Sequence, residues 1–212
     1  MTPYGKLAIF GAGGHAREVA FIAERCGVAP ATMAFVVEEA HLRETTVNGI
    51  EVHAIESGHC DGWPFVAAVG DPALKERATG LCVSRRMSAA TLCDPSVGLH
   101  RTVVLGEGCI LFPGAVLTVN VSLGRHVHVN VNSSLSHDCR VGDYSIFSPG
   151  ARVAGHVHIG SRVFVGIGAT IVNGLHNVPL PIGDDAFIAA GACVTGPVAD
   201  GARVMGVPAK VR

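Results

Sequence analysis

The sequence has few aromatic residues and no excess of charge of either sign. Aromatic side chains make up 5% of the 212 residues, and 16 Lys and Arg stand against 17 Asp and Glu. Because no basic stripe is present, we expect no nucleic-acid partner. No apolar run approaches the ~20 residues that cross a bilayer, so we expect no membrane span.

The cysteines follow no pattern that is typical of disulfides or zinc. The seven cysteines are odd in number and include no C-x-x-C pair, which argues against both a disulfide framework and a zinc ribbon. The first ten residues, MTPYGKLAIF, lack the cationic start and long apolar stretch of a signal peptide. We therefore expect a protein of the reducing cytoplasm, and we assign no metal ligands.

Glycine, in contrast, is abundant at 27 residues beside 49% hydrophobic residues, which favours turn-rich packing of small side chains.

The first part of the chain alternates between the periods of strands and helices. The expected strands are residues 6–10, 33–37, 65–69 and 87–92, and the expected helices are residues 15–26 and 72–82. The pattern predicts an α/β domain over residues 1–93 with three or four strands, ending near Asp94-Pro95.

Residues 94–212 have a hydrophobic period of six. The thirteen positions taken every sixth residue from Leu99 to Ile171 are all apolar, where composition predicts about half. The pattern slips over residues 177–181 and resumes at Ile182. Such repetition is typical of a parallel β-helix in which three hexapeptides form one coil. Antiparallel hairpins are the alternative, but they require a period of two.

The stacking of every third hexapeptide predicts a candidate site. One column contains Val119, His137, Gly155 and Asn173. His137 therefore lies beneath a residue without a side chain, which leaves a notch with a backbone N–H facing it.

A histidine beside a notch is suited to general-base catalysis, because imidazole titrates near neutral pH. Asp138 can accept a hydrogen bond from one ring nitrogen of His137, and the Gly155 N–H can stabilise an oxyanion. These groups are the ones needed for acyl transfer to an amine or hydroxyl. The alternative is an exposed polar residue at a coil corner, which is our expectation for four other histidines: His126, His128, His156 and His158.

The segment GAGGHA at residues 11–16 fits the glycine pattern of dinucleotide-binding loops. Such glycines let the backbone approach a phosphate at a helix N-terminus. A full dinucleotide fold needs two such halves, whereas residues 1–93 provide one. A nucleotide sugar is therefore a better candidate than NAD, and a loop that only turns is the alternative.

Three segments together resemble a known family: FGAGGHAREV (10–19), VNVNSSLSHDCRVGDYSIFSPGARVAG (129–155) and GVPAK (206–210). The family is that of the bacterial acyltransferases that join an N-terminal nucleotide-binding domain to a C-terminal left-handed β-helix. It includes N-acetyltransferases of nucleotide-linked 4-amino-4,6-dideoxy sugars and sialic-acid O-acetyltransferases. The resemblance implies a Rossmann-like domain over 1–93, a left-handed β-helix over 94–212, and homotrimers with active sites between subunits.

The resemblance also implies roles for individual residues. His137 is the general base, Asp138 the acid that modulates it, and Gly155 the backbone donor to the thioester carbonyl. Contacts with acetyl-CoA, the co-substrate, fall on Gly155, Ile167, Ala190 and Lys210. Contacts with the nucleotide sugar fall on Gly13, Gly14, His15, Glu38, Glu39 and Gly70.

The implied activity is direct N-acetylation of the sugar 4-amino group by acetyl-CoA. Ile146 departs from the pattern of the family. Many members carry a second histidine at this position, further along the chain than the general base. An O-acetyltransferase and a catalytically decayed nucleotide-sugar-binding protein are alternatives. A zinc hydrase on the same type of coil is another, for which His128 and His158 are taken to stack two coils apart. The sequence leaves open the nucleotide base, the sugar and the pathway.

Overall fold

Short apolar segments alternate with two amphipathic ones up to Asp94. In the computed structural model, which describes residues 4–212, they form one compact unit that ends at Asp94. Its helices are α1 (Gly14–Arg25) and α2 (Pro72–Ser84). Its strands are β1 (Leu7–Phe10), β2 (Met33–Val37), β3 (Thr46–Val47), β4 (Ile50–Ala54), β5 (Pro64–Ala67), β6 (Ser88–Ala89) and β7 (Leu92–Cys93).

Six of these strands form a sheet in the order β3-β4-β2-β1-β5-β6. All neighbours pair in parallel except β3 and β4. β1 and β2 are buried along their whole length, as expected for parallel strands with both faces covered. The side chain of Asp71 caps α2 by accepting a hydrogen bond from the Leu74 N–H at 2.8 Å, and Pro72 occupies the first helical position, both common at helix starts.

The expectation of three or four strands is wrong, because this sheet has six. The missed pair is the hairpin of β3 and β4, in which Val47 and Ile50 are partners across a two-residue turn. Asn48 and Gly49 form that turn with φ values of 50° and 78°. An Asn-Gly dipeptide between strand-forming residues is the sequence signal for such a turn.

Residues from Pro95 to Arg212 form the second unit, a parallel β-helix with three sheets. The first sheet contains β8 (Val104–Leu105), β11 (Ser122–Leu123), β14 (Arg140–Val141), β17 (Val157–Ile159) and β20 (Leu180–Ile182). The second contains β9 (Ile110–Leu111), β12 (His128–Val129), β15 (Ile146–Phe147), β18 (Phe164–Val165), β21 (Phe187–Ile188), β23 (Arg203–Met205) and the antiparallel β24 (Lys210–Val211). The third contains β10 (Val116–Leu117), β13 (Ser134–Leu135), β16 (Arg152–Val153), β19 (Thr170–Ile171) and β22 (Cys193–Val194).

The register confirms the predicted coil. Partners in the ladders are separated by three hexapeptides, as in the pair Leu117 and Leu135. Over the predicted slip the coil is longer, since Ile159 pairs with Ile182. From Leu111 to Ile171, every sixth residue is buried in the coil interior.

Leu99, the first member of the pattern, is an exception. It is 41% exposed and precedes β8, so no earlier coil covers it.

Two expectations about histidines are also wrong. His126 and His128 are not exposed at corners but are buried, with 3% and 0% of their surface exposed. His128 and His158 do not stack, because His128 pairs with Ile146 in the second sheet and His158 pairs with Arg140 in the first. Their separation is not a whole number of coils, so they face different sides of the β-helix. This arrangement removes the basis for a zinc hydrase at these two histidines.

The described residues include two α-helices, and neither is long and apolar enough to cross a membrane.

Burial predicts the cost of opening the coil interior. Leu135→Ala removes a side chain with 0% exposure and should lower the free energy of unfolding by about 2–5 kcal/mol, because the cavity cannot collapse fully. Leu175→Ala is the matched control, since Leu175 is 66% exposed and its loss should change stability by about 0.5 kcal/mol or less. Urea denaturation followed by circular dichroism measures both. Equal stabilities would contradict the assigned interior.

Candidate active site

Three polar residues form a column at one corner of the coil, where the first and third sheets meet. Asn120, Asp138 and His156 occupy the same place in successive coils and have φ values of 56°, 60° and 55°. This left-handed conformation is unfavourable for most side chains, whereas Asn, Asp and His adopt it more readily. The turn geometry thus selects polar residues and stacks their side chains.

The carboxylate of Asp138 is held between three neighbours. Asp138 Oδ1 accepts a hydrogen bond from Asn120 Nδ2 at 3.0 Å, and Asp138 Oδ2 lies 2.9 Å from His137 Nδ1. His156 Nε2 is 3.8 Å from the same Oδ2. The hydrogen bond from Asn120, followed by that from His137, lowers the pKa of Asp138 below its ordinary value. Asp138 is therefore an anion at neutral pH and can accept a hydrogen bond from a protonated Nδ1 of His137.

This arrangement fixes the tautomer and orientation of the His137 ring. With Nδ1 donating to Asp138, the lone pair of Nε2 points away from the carboxylate and is available to a substrate. The His137 side chain is 52% exposed. The ring is therefore both anchored and accessible.

Gly155 lies directly next to this ring, as the column predicted. The His156 N–H donates to the His137 carbonyl at 3.0 Å, and the Gly174 N–H donates to the Gly155 carbonyl at 3.0 Å. A Cβ at Gly155 would stand 2.4 Å from His137 Cε1 and 2.5 Å from Nε2. Within residues 4–212, the Gly155 N–H has no hydrogen-bond acceptor, so it is available to an oxygen of a bound molecule.

Two further histidines surround the pair, and the sequence pattern did not indicate a place for either of them in the site. The His156 ring packs edge-on against two other rings. Its centroid is 5.0 Å from that of His137 and 5.4 Å from that of His176. Together with Asp138, His156 and His176 border a cavity of about 300 Å³. His156 was detectable, because it lies one coil after Asp138, whereas His176 comes from the slip that interrupts the repeat.

The predicted nucleotide-sugar residues converge at one edge of the first unit. β1, β2 and β5 are parallel neighbours, so the segments that follow them leave the sheet at the same edge. Gly13, the residue that precedes α1, has no side chain to cap the helix. Gly14 and His15 form the first turn, and Gly70 follows β5 immediately before the cap of α2. An anion can thus approach the backbone N–H groups at the start of α1.

The acidic pair and His15 differ in their surroundings. Glu38 forms an ion pair with Arg77, and the Glu39 N–H donates to Glu56 Oε2 at 2.9 Å. Burial is the main cause that lowers the pKa of His15, although a hydrogen bond to Glu18 opposes it. The imidazole of His15 is therefore neutral at physiological pH.

A cavity of about 430 Å³ adjoins this edge, and it includes arginines that the sequence analysis did not single out. Arg17, Arg43, Gly13 and His41 line it. Arg17 was detectable, since it lies on the first turn of the helix after the glycine loop. No sequence pattern indicated Arg43.

The structure does not bring all of the predicted coenzyme contacts together within one chain. Ile167 and Ala190 are neighbours, since the Gly191 N–H donates to the Ile167 carbonyl at 2.8 Å. They lie at the corner where the second and third sheets meet, whereas His137 and Gly155 lie where the third and first sheets meet. Lys210 is on β24, at the second sheet.

Comparisons with known proteins identify the family of the chain. Residues 6–79 match the family described as the PglD N-terminal domain. The chain is 32% identical to the GDP-perosamine N-acetyltransferase of Escherichia coli O157:H7, over 99% of this chain and 96% of that protein.

Two solved structures cover nearly the whole chain. PerB from Caulobacter crescentus, in complex with CoA and GDP-perosamine, superposes with a TM-score of 0.87 at 28% identity, over 98% of this chain and 97% of that one. The acetyltransferase domain of PglB from Neisseria gonorrhoeae, in complex with acetyl coenzyme A, gives a TM-score of 0.85 at 27% identity. The superposition covers 99% of this chain and 100% of that domain.

The column of polar residues predicts the effect of Asn120→Ala on ionisation. Removing the largest cause of the depressed pKa should raise the pKa of Asp138 toward its ordinary value. A carbon-13 NMR titration of the aspartate carboxyls measures this. Asn132→Ala is the matched control, because Asn132 also has a left-handed φ, of 55°, and belongs to a different corner. A pKa that moves equally in both variants, or in neither, contradicts the assigned contact.

Proposed function

We propose, given that this chain belongs to the sugar N-acyltransferase family, that it transfers the acetyl group of acetyl-CoA to the 4-amino group of a nucleotide-linked 4-amino-4,6-dideoxy sugar. The relatives named above act on GDP-perosamine or bind it with CoA, and GDP-perosamine is therefore the first acceptor to test. The observation that carries the proposal is the His137 Nδ1 to Asp138 Oδ2 contact of 2.9 Å beside Gly155.

His137 is the general base in this proposal. The sugar amine attacks the thioester carbonyl carbon, a C–N bond forms, and the amine proton passes to His137 Nε2. The carboxylate of Asp138 stabilises the imidazolium that results. Collapse of the tetrahedral intermediate breaks the C–S bond, and the imidazolium returns its proton to the CoA thiolate.

The Gly155 N–H supplies the hydrogen bond to the developing oxyanion. Transfer is direct, without an acyl-enzyme. Cys139, the nearest thiol in sequence, is buried, and burial raises its pKa, so it remains a thiol that donates to the Ala154 carbonyl at 3.1 Å. The buried position of Cys139 supports the assignment of His137 as a base for the substrate amine.

The first unit provides the nucleotide-sugar site in this proposal. We assign it to the Rossmann-like class over residues 1–93, supported by the glycine loop between β1 and α1 and by the parallel order of β2, β1 and β5. Gly13, Gly14 and His15 contact the diphosphate, and Glu38, Glu39 and Gly70 contact the nucleoside or sugar. Arg17 adds positive charge at the same edge.

The predicted second domain, residues 94–212, contains the β-helix that begins at Pro95 and acts as a homotrimer with a left-handed coil. The separation of Ile167 and Ala190 from His137 within one chain supports this, because coenzyme contacts on one corner then face the base on a neighbouring copy. Apolar side chains exposed along the coil support it as well: Val104, Val116, Val119 and Val172. The seven free thiols support a reducing compartment such as the cytoplasm.

Replacing the base tests the reaction. His137→Ala should lower kcat by roughly 10²–10⁴-fold, because an aligned general base is lost, while circular dichroism stays unchanged since the ring is half-exposed. Acetyl transfer is followed by mass spectrometry, with UDP-, GDP- and dTDP-linked 4-amino sugars and free sialic acid as acceptors.

The panel separates the outcomes. A gain of one acetyl group on a GDP-linked amino sugar, lost in His137→Ala, is the expected result. Acetylation of sialic acid alone would make the protein an O-acetyltransferase. Tight binding of a nucleotide sugar without turnover would make it a binding protein and would direct attention to Ile146.

Gly155→Ala tests the notch. Its Cβ would overlap the His137 ring at 2.4–2.5 Å, and the ring must turn out of alignment, so kcat should fall by about 10²-fold. The affinity for the sugar nucleotide should not change. Gly98→Ala is the matched control, since a Cβ there meets nothing within 4 Å. Unchanged kcat in Gly155→Ala contradicts the assigned geometry.

A further inference from the structure

A second cluster of ligand-type side chains lies in the first unit, and none of its members was assigned above. Glu51, His53 and His59 each offer one ligand atom, and the three atoms lie within 4.8 Å of one another. Two imidazole nitrogens with one carboxylate oxygen form a donor set that proteins use for zinc. We propose that Glu51, His53 and His59 bind a zinc ion.

The local chain path brings the three residues together. Glu51 and His53 are two positions apart on β4, so their side chains project from the same face of the strand. A 3₁₀ turn over residues 55–57 follows, and Gly58 ends it with a left-handed φ of 71°. This reversal returns the chain so that His59 lies against His53.

The three side chains are close together, and binding would require the two rings to turn out of their stack so that their nitrogens point at one ion. Glu51 Oε2 lies 2.9 Å from His53 Nε2, and the rings of His53 and His59 stack with centroids 3.8 Å apart and planes 10° from parallel. Glu51 is 68% exposed and His53 24% exposed. An ion can therefore reach the cluster from solvent, and water can complete a tetrahedral shell beside three protein ligands.

The neighbouring thiol does not take part. Cys60 follows His59 but packs in the hydrophobic core with Phe65 and Cys82. Its side chain is buried in that core, so the thiol does not face the cluster. The donor set is therefore two histidines and a glutamate.

Trp63 gives this cluster its own reporter. It is the single tryptophan of the chain, and its ring centroid is 5.7 Å from that of His59. A metal ion with a partly filled d-shell, when bound to His59, quenches the fluorescence of a tryptophan this close. A reporter close to His59 is needed because His137, Asp138 and His156 form another group of possible ligands. The proposed catalysis already uses His137 and Asp138 of that group.

The test is a titration of the metal-free full-length protein with Co²⁺, which occupies zinc sites, followed by Trp63 fluorescence. We expect saturable quenching at one equivalent, reversed by excess Zn²⁺. His53→Gln and His59→Gln should each weaken the apparent affinity by roughly tenfold or more, because a ligand is lost. His100→Gln, a substitution at an exposed histidine outside the cluster, and His137→Ala should titrate like the wild type.

Thermal unfolding with Zn²⁺ gives an independent readout. Zinc should raise the Tm of the wild type and of His137→Ala, since binding to the folded state stabilises it, and should raise it less in His59→Gln. The proposal is overturned if Co²⁺ does not quench the wild type, or if quenching persists unchanged in both His53→Gln and His59→Gln. Neither result depends on acetyl transfer, so the zinc site and the proposed function can fail separately.

Discussion

The ladder of hydrogen bonds between successive coils is the constraint on which the second unit depends. It places one apolar residue of each hexapeptide above its counterpart in the next coil, which keeps water out of the interior. The same ladder stacks Asn120, Asp138 and His156 at a corner. Core packing and the arrangement of the base are therefore two consequences of one register. A change of register would abolish both.

The corners of the coil show how residue identity turns a repeated geometry into a site. Left-handed turns recur along the chain, and stacked ion pairs lie at two other places along the coil, Arg125 with Asp143 and Arg162 with Asp185. The corner at Asp138 has the same backbone but differs in what surrounds it. A histidine precedes the acid, and a glycine lies in the coil above. The missing side chain at Gly155 opens the space that the ion pairs fill at those two places.

The two units contribute different chemistry to the proposed reaction. In the first unit, three parallel strands end at the same edge of the sheet, where a glycine loop and a helix N-terminus suit a diphosphate. The second presents a base and a backbone donor at one corner and the expected coenzyme contacts at another. In this proposal assembly is part of catalysis, because a single chain does not bring the base together with Ile167 and Ala190.

The period of six determined the β-helix, its slip and the column of His137 and Gly155, because a repeat that buries one face must return to the same side of each coil. The periods of strand and helix likewise placed β1, β2, α1 and α2. The sequence alone could not show that the longer coil at the slip brings His176 beside His156. It did not indicate that His126 and His128 are buried. It also could not show that Gly58 brings His59 against His53. These contacts join residues whose spacing follows no period, so only the folded chain defines them.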